Sequence, residues 1–432
     1  MKLPVHEVTT RHSRSLFPLQ VDSGLPSAGC LIGWDAITNA GFVFDPWVCY
    51  DEKVNTDLCM LVLGNKGLGK SAFTKAFLLR EVGCFGRSAY ILDPKGEYAD
   101  VASHLGMWQL RLEPGGQSRL NPLDAPAASS RDDVHKSRIE ILCALAASGL
   151  GRPCTPRETN GITEAVTAAE STTSVLLLPL IVDLMMHPTA KMAVALGTTA
   201  PQLAAETREV ASSLRMLVVG PLSGMFDGPS TVEMSVTGTG GLIDLSPIQR
   251  TPAALGPVMV CALSWLSQVI PTPPPPSRIL VVDEAWHLTT PETIDWLNMV
   301  SKLSRKWLAC LLLVTQHLSD FRSAGDDSSQ AAKKATSLVS DIQTKVMFGE
   351  AESAADDTAA MIGLSSVERA MLPTLPQGQC FFHIGTHRAL VRVALTNAER
   401  RITNTDDGGA SKAPAPPPQT DLQAGTLPAH SD

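Results

Sequence analysis

The chain has 432 residues, 44% apolar and 18% charged, with a formal net charge of −8. That balance excludes a mainly disordered chain and leaves room for one large folded domain with an insertion. Lys and Arg are scattered, with no basic stripe of the kind a dedicated nucleic-acid binder carries, although a ring of subunits can gather a few basic residues in one pore. The nine cysteines form no C-x-x-C and several fall in apolar runs, so they read as reduced thiols, not as a disulfide framework or zinc site. Met1–Arg14 has no apolar core of the kind a signal peptide needs.

In chain order, residues 1–57 read as a lead-in with extended pieces at Cys30–Trp34 and Phe42–Trp47. Leu58–Leu63 is an apolar run that reads as a strand, followed by Gly64-Asn65-Lys66-Gly67-Leu68-Gly69-Lys70-Ser71 and then a helix over Ser71–Arg80. Strands are expected at Ser88–Leu92 and Trp108–Leu112. From residue 130 to about 217 strand signals stop, and Ala, Leu and Glu dominate. There Thr155-Pro156-Arg157-Glu158 supplies an N-cap, a proline at the first helical position and a glutamate three residues past the cap. An all-helical insertion is expected over 130–217, between 58–129 and 218–404 of one sheet domain.

Alternation resumes with a strand at Leu242–Leu245, a helix at Ala253–Ile270, a proline-rich loop at Pro271–Pro276 and a strand at Ile279–Val282. The helix Ala253–Ile270 is interrupted by Gly256, Pro257, Ser264, Ser267 and Gln268, so it reads as a core helix and not as a membrane span. A helix over Pro291–Arg305, strands at Ala309–Val314 and Gln343–Phe348, and a helix near Ala354–Ile362 follow. A hairpin of Gln379–Ile384 and Ala389–Ala394 is expected around Gly385-Thr386-His387-Arg388, and a disordered tail from 405 to 432. Buried, continuously apolar strands alternating with helices predict an α/β fold, a mainly parallel sheet covered on both faces. Ligands of such sheets bind outside the carboxyl ends of the strands.

The segment from Gly64 to Ser71 is G-x-x-x-x-G-K-S, set between a strand and a helix as a phosphate-binding loop requires. Gly64, Asn65, Lys66, Gly67, Leu68, Gly69, Lys70, Ser71 and Ala72 are therefore the expected nucleotide contacts. Lys70 would reach the β- and γ-phosphates of ATP, and the Ser71 hydroxyl would ligate Mg²⁺. The run Ile279–Val282 ends in Asp283-Glu284, where Asp283 would hold Mg²⁺ and Glu284 would act as general base. Gln316 ends the next strand, placed to sense the γ-phosphate or orient the attacking water, or else to cap the following helix.

Arg305 is either an arginine finger supplied to a neighbouring subunit or a solvated helix end. Asp93-Pro94-Lys95-Gly96-Glu97-Tyr98 is either a surface turn or a charged element beside the phosphates. His287 and His317 lack partners at metal-ligand spacing and are assigned to packing or surface, while Met185, Met186 and Met192 read as core.

Taken in order, G-N-K-G-L-G-K-S, I-L-D-P-K-G-E-Y, R-L-N-P-L-D (119–124), G-M-F-D-G (224–228), V-V-D-E-A (281–285), R-K-W (305–307) and V-T-Q (314–316) resemble one family. It is the HerA–FtsK clade of P-loop (RecA-like) ATPases, and within it the conjugal-transfer ATPases of type IV secretion systems, of the TraC/TrbE type. The resemblance covers about residues 30–395 and implies a cytoplasmic homo-hexameric motor at the base of a secretion channel. It also implies channel subunits as partners, membrane contact only through them, and an arginine finger at Arg305. Typical members carry a large N-terminal domain, whereas 57 residues precede the first strand of the phosphate-loop unit here. The alternative is a DNA translocase of the coupling-protein or FtsK kind acting directly on DNA, which the charge does not indicate. A scaffold that binds ATP without hydrolysing it, or a small-molecule kinase, fits the motif set less well.

Overall fold

The computed structural model describes residues 25–124, 130–220, 222–232, 238–250, 252–269, 277–285, 291–319 and 330–404. The expected loop Pro271–Pro276, His287 and the tail 405–432 lie outside the described residues. The strands are β1 (Cys30–Asp35), β2 (Gly41–Phe44), β3 (Met60–Leu63), β4 (Ser88–Asp93), β5 (Trp108–Arg111), β6 (Gly240–Asp244), β7 (Arg278–Val282), β8 (Ala309–Val314), β9 (Thr344–Met347), β10 (Gln379–Ile384) and β11 (His387–Val393). They form one sheet in the order β2-β1-β11-β10-β9-β3-β8-β7-β4-β6-β5.

From β9 to β5 every pairing is parallel, so these strands all point their carboxyl ends to one edge. The chain's own β10, β11, β1 and β2 extend the other side by antiparallel pairing, which places two strands of the early segment in the same sheet.

The helices are α1 (Pro46–Asp51), α2 (Lys70–Phe85), α3 (Ala99–His104), α4 (Arg131–Leu150), α5 (Pro156–Thr172), α6 (Leu178–Met186), α7 (Ala190–Ala195), α8 (Ala200–Glu206), α9 (Arg208–Val218), α10 (Pro252–Val269), α11 (Pro291–Trp307), α12 (Gln330–Asp341), α13 (Glu352–Ile362), α14 (Ser366–Met371) and α15 (Asn397–Thr403). Successive strand residues point to opposite faces, and the core divides accordingly. Leu61, Leu63, Leu280, Val282, Leu311 and Leu313 share one apolar cluster with α4, α5, α6, α9, α10 and α11. Met60, Val62, Ile279, Val281, Leu312 and Val314 share the other with Phe73 and Phe77 of α2 and Val101 of α3. The sheet is thus an α/β layer with helices on both faces. No helix of the described residues is long and apolar enough to cross a membrane.

Local chemistry adjusts several expected boundaries. The run expected as a strand to Trp47 stops at Phe44, because the Asp45 carboxylate accepts from the Trp47 and Val48 N–H groups and starts α1 at Pro46. The expected capping box forms, with Thr155 N–H donating to Glu158 at 2.7 Å. The terminal hairpin turns on Gly385-Thr386 alone, since Ile384 pairs with His387. Met185 and Met192 are buried in the first cluster, while Met186 is 38% exposed. All nine cysteines are free thiols, Cys84 being exposed.

Two segments that stand out in the sequence prove to join the sheet to the helices of 131–218. Leu120 N–H donates to the Met225 carbonyl, and Arg119 pairs with Asp227 at 3.0 Å. Buried Asn121 donates to Asp124 at 2.6 Å and to the Leu176 carbonyl at 2.9 Å, beside the start of α6. R-L-N-P-L-D and G-M-F-D-G therefore lie together where the chain leaves and re-enters the sheet.

Candidate functional site

The carboxyl ends of β3, β8, β7 and β4 lie side by side, and each carries a polar signature straight past its last apolar residue. Between them opens a cavity of about 420 Å³. Lys66, Gly67, Gly69, Lys70, Ser71 and Ala72 line it from the phosphate loop, Asp283 and Glu284 from β7, and Gln316 from β8.

The loop is shaped by its glycines. Gly64 leaves β3 at φ +134°, and a Cβ there would lie 2.8 Å from that of Phe348. The Asn65 N–H donates to the Gly349 carbonyl at 2.8 Å, anchoring the loop to the end of β9. Gly69 then caps α2, whose N-terminal N–H groups and dipole favour an anion. The Lys70 ammonium donates to the carbonyls of Gly64 and, at 2.9 Å, Asn65. Burial lowers its pKa to about 8 against the pull of Glu284, with Lys95 adding repulsion.

Asp283 is 2% exposed, and burial with its neighbours Asp93 and Glu284 pushes its carboxyl up to about 7. One oxygen accepts the Glu284 N–H at 2.9 Å; the other, Oδ2, is buried without a hydrogen-bond partner among the described residues. An orphaned carboxylate oxygen in a cavity shared with the Ser71 hydroxyl suits a hard divalent cation such as Mg²⁺. Glu284 takes φ +49°, a left-handed conformation that costs a non-glycine residue about 1–3 kcal/mol. Its carboxylate receives Gln316 Nε2 at 3.1 and 3.4 Å and pairs with the Lys95 ammonium.

The D-P-K-G-E-Y element turns out to be both turn and site. The buried Asp93 carboxylate accepts from the N–H groups of Lys95, Gly96 and Tyr98 at 3.0, 2.8 and 2.9 Å, which closes the turn. The same turn delivers Lys95 and Glu97 into the cavity wall. Glu97 lies 3.8 Å from Lys75, a fully buried ammonium on α2 that also sits over the Tyr98 ring.

Arg305 is not among the residues lining this cavity. It is exposed near the end of α11, just before β8, so it sits at the amino edge of the sheet. Six residues of β8 separate that edge from Gln316, roughly 20 Å at ~3.3 Å per residue. His317, next to Gln316, is intermediate in exposure.

Sequence reasoning missed the wall supplied by residues 377–404: Gln377, Leu395, Arg400, Thr403 and Asn404. Arg80 of α2 grips Glu399 of α15 through contacts of 2.7 and 3.0 Å, pinning α15 beside the loop. The T-x-x-E cap at Thr396 and Glu399 is legible as a helix start, but nothing local says where that helix docks. A second cavity of about 410 Å³ adjoins the first, sharing Gly69, Ala72, Gln377, Leu395 and Arg400.

By sequence, no family model and no curated protein matches the chain. By fold it is similar to VirB4 of Thermoanaerobacter pseudethanolicus, with a TM-score of 0.71 and 21% identity over 87% of this chain and 99% of that one. The plasmid coupling protein TrwB in complex with the ATP analogue ADPNP gives 0.60 and 15% over 86% and 96% of the two chains. TrwB in complex with ADP and Mg²⁺ gives 0.56 and 15% over 80% and 86%. At these identities the likeness is one of architecture: the chain has the P-loop NTPase fold that VirB4 and TrwB share.

Proposed function

We propose that the chain is an ATP-hydrolysing motor of a conjugative or type IV secretion apparatus. One observation carries the enzymatic part. Lys70, Ser71, Asp283, Glu284 and Gln316, spread over 247 positions from Lys70 to Gln316, converge on one cavity at the carboxyl edge of the sheet. The apparatus is suggested by the fold shared with VirB4 and TrwB, and the ligands by the TrwB complexes with ADPNP and with ADP and Mg²⁺. In this reading, 58–129 and 218–404 form the ATPase domain and 130–217 its all-helical insertion.

The loop N–H groups and α2 would bind the phosphates, and Lys70 would exchange its loop carbonyls for phosphate oxygens. Ser71 and Asp283 would hold Mg²⁺. When bound there, the ion would supply neutralisation of the phosphate charge. Glu284 would take the proton of the attacking water, and Gln316 would fix the direction of that carboxylate. Arg305, at the opposite edge of its own chain, can reach a phosphate only in a neighbouring copy, which suits head-to-tail contacts in a ring such as the homo-hexamer that the family resemblance implies.

The TrwB likeness also supports a second reading, a translocase acting directly on DNA. Steady-state turnover measured alone and with single- and double-stranded DNA separates them. Turnover indifferent to DNA supports the channel motor; strong stimulation that fades with salt supports the translocase.

A further inference from the structure

Lys95 holds a position that the reaction outlined above leaves unused. Its ammonium pairs with Glu284, the proposed base, while lining the same cavity as Lys70 and Ser71. Its side chain is 28% exposed, against 5% for that of Glu284, so the lysine is the partner that solvent or ligand can reach.

The backbone beneath it is fixed. Asp93 accepts the N–H groups of Lys95, Gly96 and Tyr98. Gly96 takes φ +76°, and a Cβ there would lie 2.8 Å from the Ser246 hydroxyl, so the turn is held against the end of β6. Movement is left to the flexible four-carbon stem of Lys95. Glu284 does not depend on it for placement, because Gln316 donates to both its carboxylate oxygens.

We propose that Lys95 reads the terminal phosphate: its ammonium passes from the Glu284 carboxylate to the third phosphate of a bound nucleoside triphosphate, which distinguishes triphosphate from diphosphate and withdraws the lysine from Glu284 only when the substrate is complete. The inference rests on the nucleotide-hydrolase reading. Two features support the exchange. Lys95 and Lys70 line the same cavity, so both ammonium groups border one space. A terminal phosphate also offers more charge and more acceptor oxygens than one carboxylate.

The test is the Mg²⁺-dependent affinity for a non-hydrolysable ATP analogue and for ADP, in the wild type, Lys95→Met and Lys95→Arg. Lys95→Met should lose about tenfold or more in analogue affinity, the loss expected of one charge-assisted hydrogen bond. Its ADP affinity should stay within about threefold, and Lys95→Arg should recover most of the preference. Loss of both affinities together would make Lys95 structural and overturn the inference, as would an unchanged ratio. Those outcomes leave the hydrolase reading standing, whereas a wild type that binds neither nucleotide removes both.

Discussion

Gln316 donates its side-chain N–H groups to both carboxylate oxygens of Glu284, at 3.1 and 3.4 Å, across the ends of two neighbouring parallel strands. The amide therefore orients a carboxylate that the backbone already holds at φ +49°. Glu284→Gln should still bind ATP but turn over at least about a hundredfold more slowly, as for the loss of a general base. Gln316→Ala should slow turnover by a smaller factor with nucleotide affinity unchanged. Rapid phosphate release by Glu284→Gln would remove the base assignment.

Lys70 carries a pH dependence whose sign follows from its burial. Its ammonium pKa is lowered to about 8, so the free protein loses this charge as pH rises through 8. A bound phosphate favours the charged form and raises that pKa, which couples binding to proton uptake above pH 8. ADP affinity should be level below about pH 8 and weaken about tenfold per unit above it. A flat profile from neutral to strongly alkaline pH would show that Lys70 does not face the phosphates.

Arg305 gives a prediction about assembly. Arg305→Ala and Lys70→Ala should each be nearly inactive alone. Mixed before assembly, they should recover turnover at about a quarter of the sites, where an intact Lys70 meets a neighbour's intact Arg305 in a head-to-tail ring. Full activity of Arg305→Ala by itself would leave the residue as a solvated helix end.

Stability has its own weak point beside α2. Arg87 pairs with Asp45 and, at 2.6 Å, with Glu81, two carboxylates that are 1% and 0% exposed, and it stacks 3.8 Å from the centre of the Trp47 ring. Burial and the nearby Asp45 charge push Glu81 up to about 7 despite Arg87. Arg87→Leu should cost about 3–5 kcal/mol, the penalty for a buried pair that loses one partner. With its folded pKa raised, Glu81 destabilises the fold progressively as pH rises from its unfolded value towards 7. Denaturation of the variant should therefore ease towards neutral pH, and adding Glu81→Gln should restore part of the loss.

The central sheet was legible because its strands are buried on both faces: Leu311–Val314 and Ile279–Val282 show unbroken apolar runs that end in the polar residues of the site. The phosphate loop was legible because its backbone demands glycine, Gly64 above all. The antiparallel extension was less so. The pieces at Cys30 and Phe42 could be read as extended, but β1 pairs with β11 across more than 350 residues, from Gly33 to Val393, and β2 joins the sheet only through β1. α15 escaped notice for the same reason: a seven-residue helix with only Ala398 and Ile402 apolar carries no signal of the phosphate loop it lies against. Lys95 could be placed at the right sheet edge from sequence, but not on Glu284, because side-chain direction after a turn is set by the turn's own hydrogen bonds.

Phosphate release from ATP by the purified wild type, with and without Mg²⁺, beside Lys70→Ala, tests the account most directly. Turnover should depend on Mg²⁺ and fall to background in Lys70→Ala while the variant stays folded. Equal turnover in the two proteins, or a wild type that neither binds nor cleaves ATP, would contradict it.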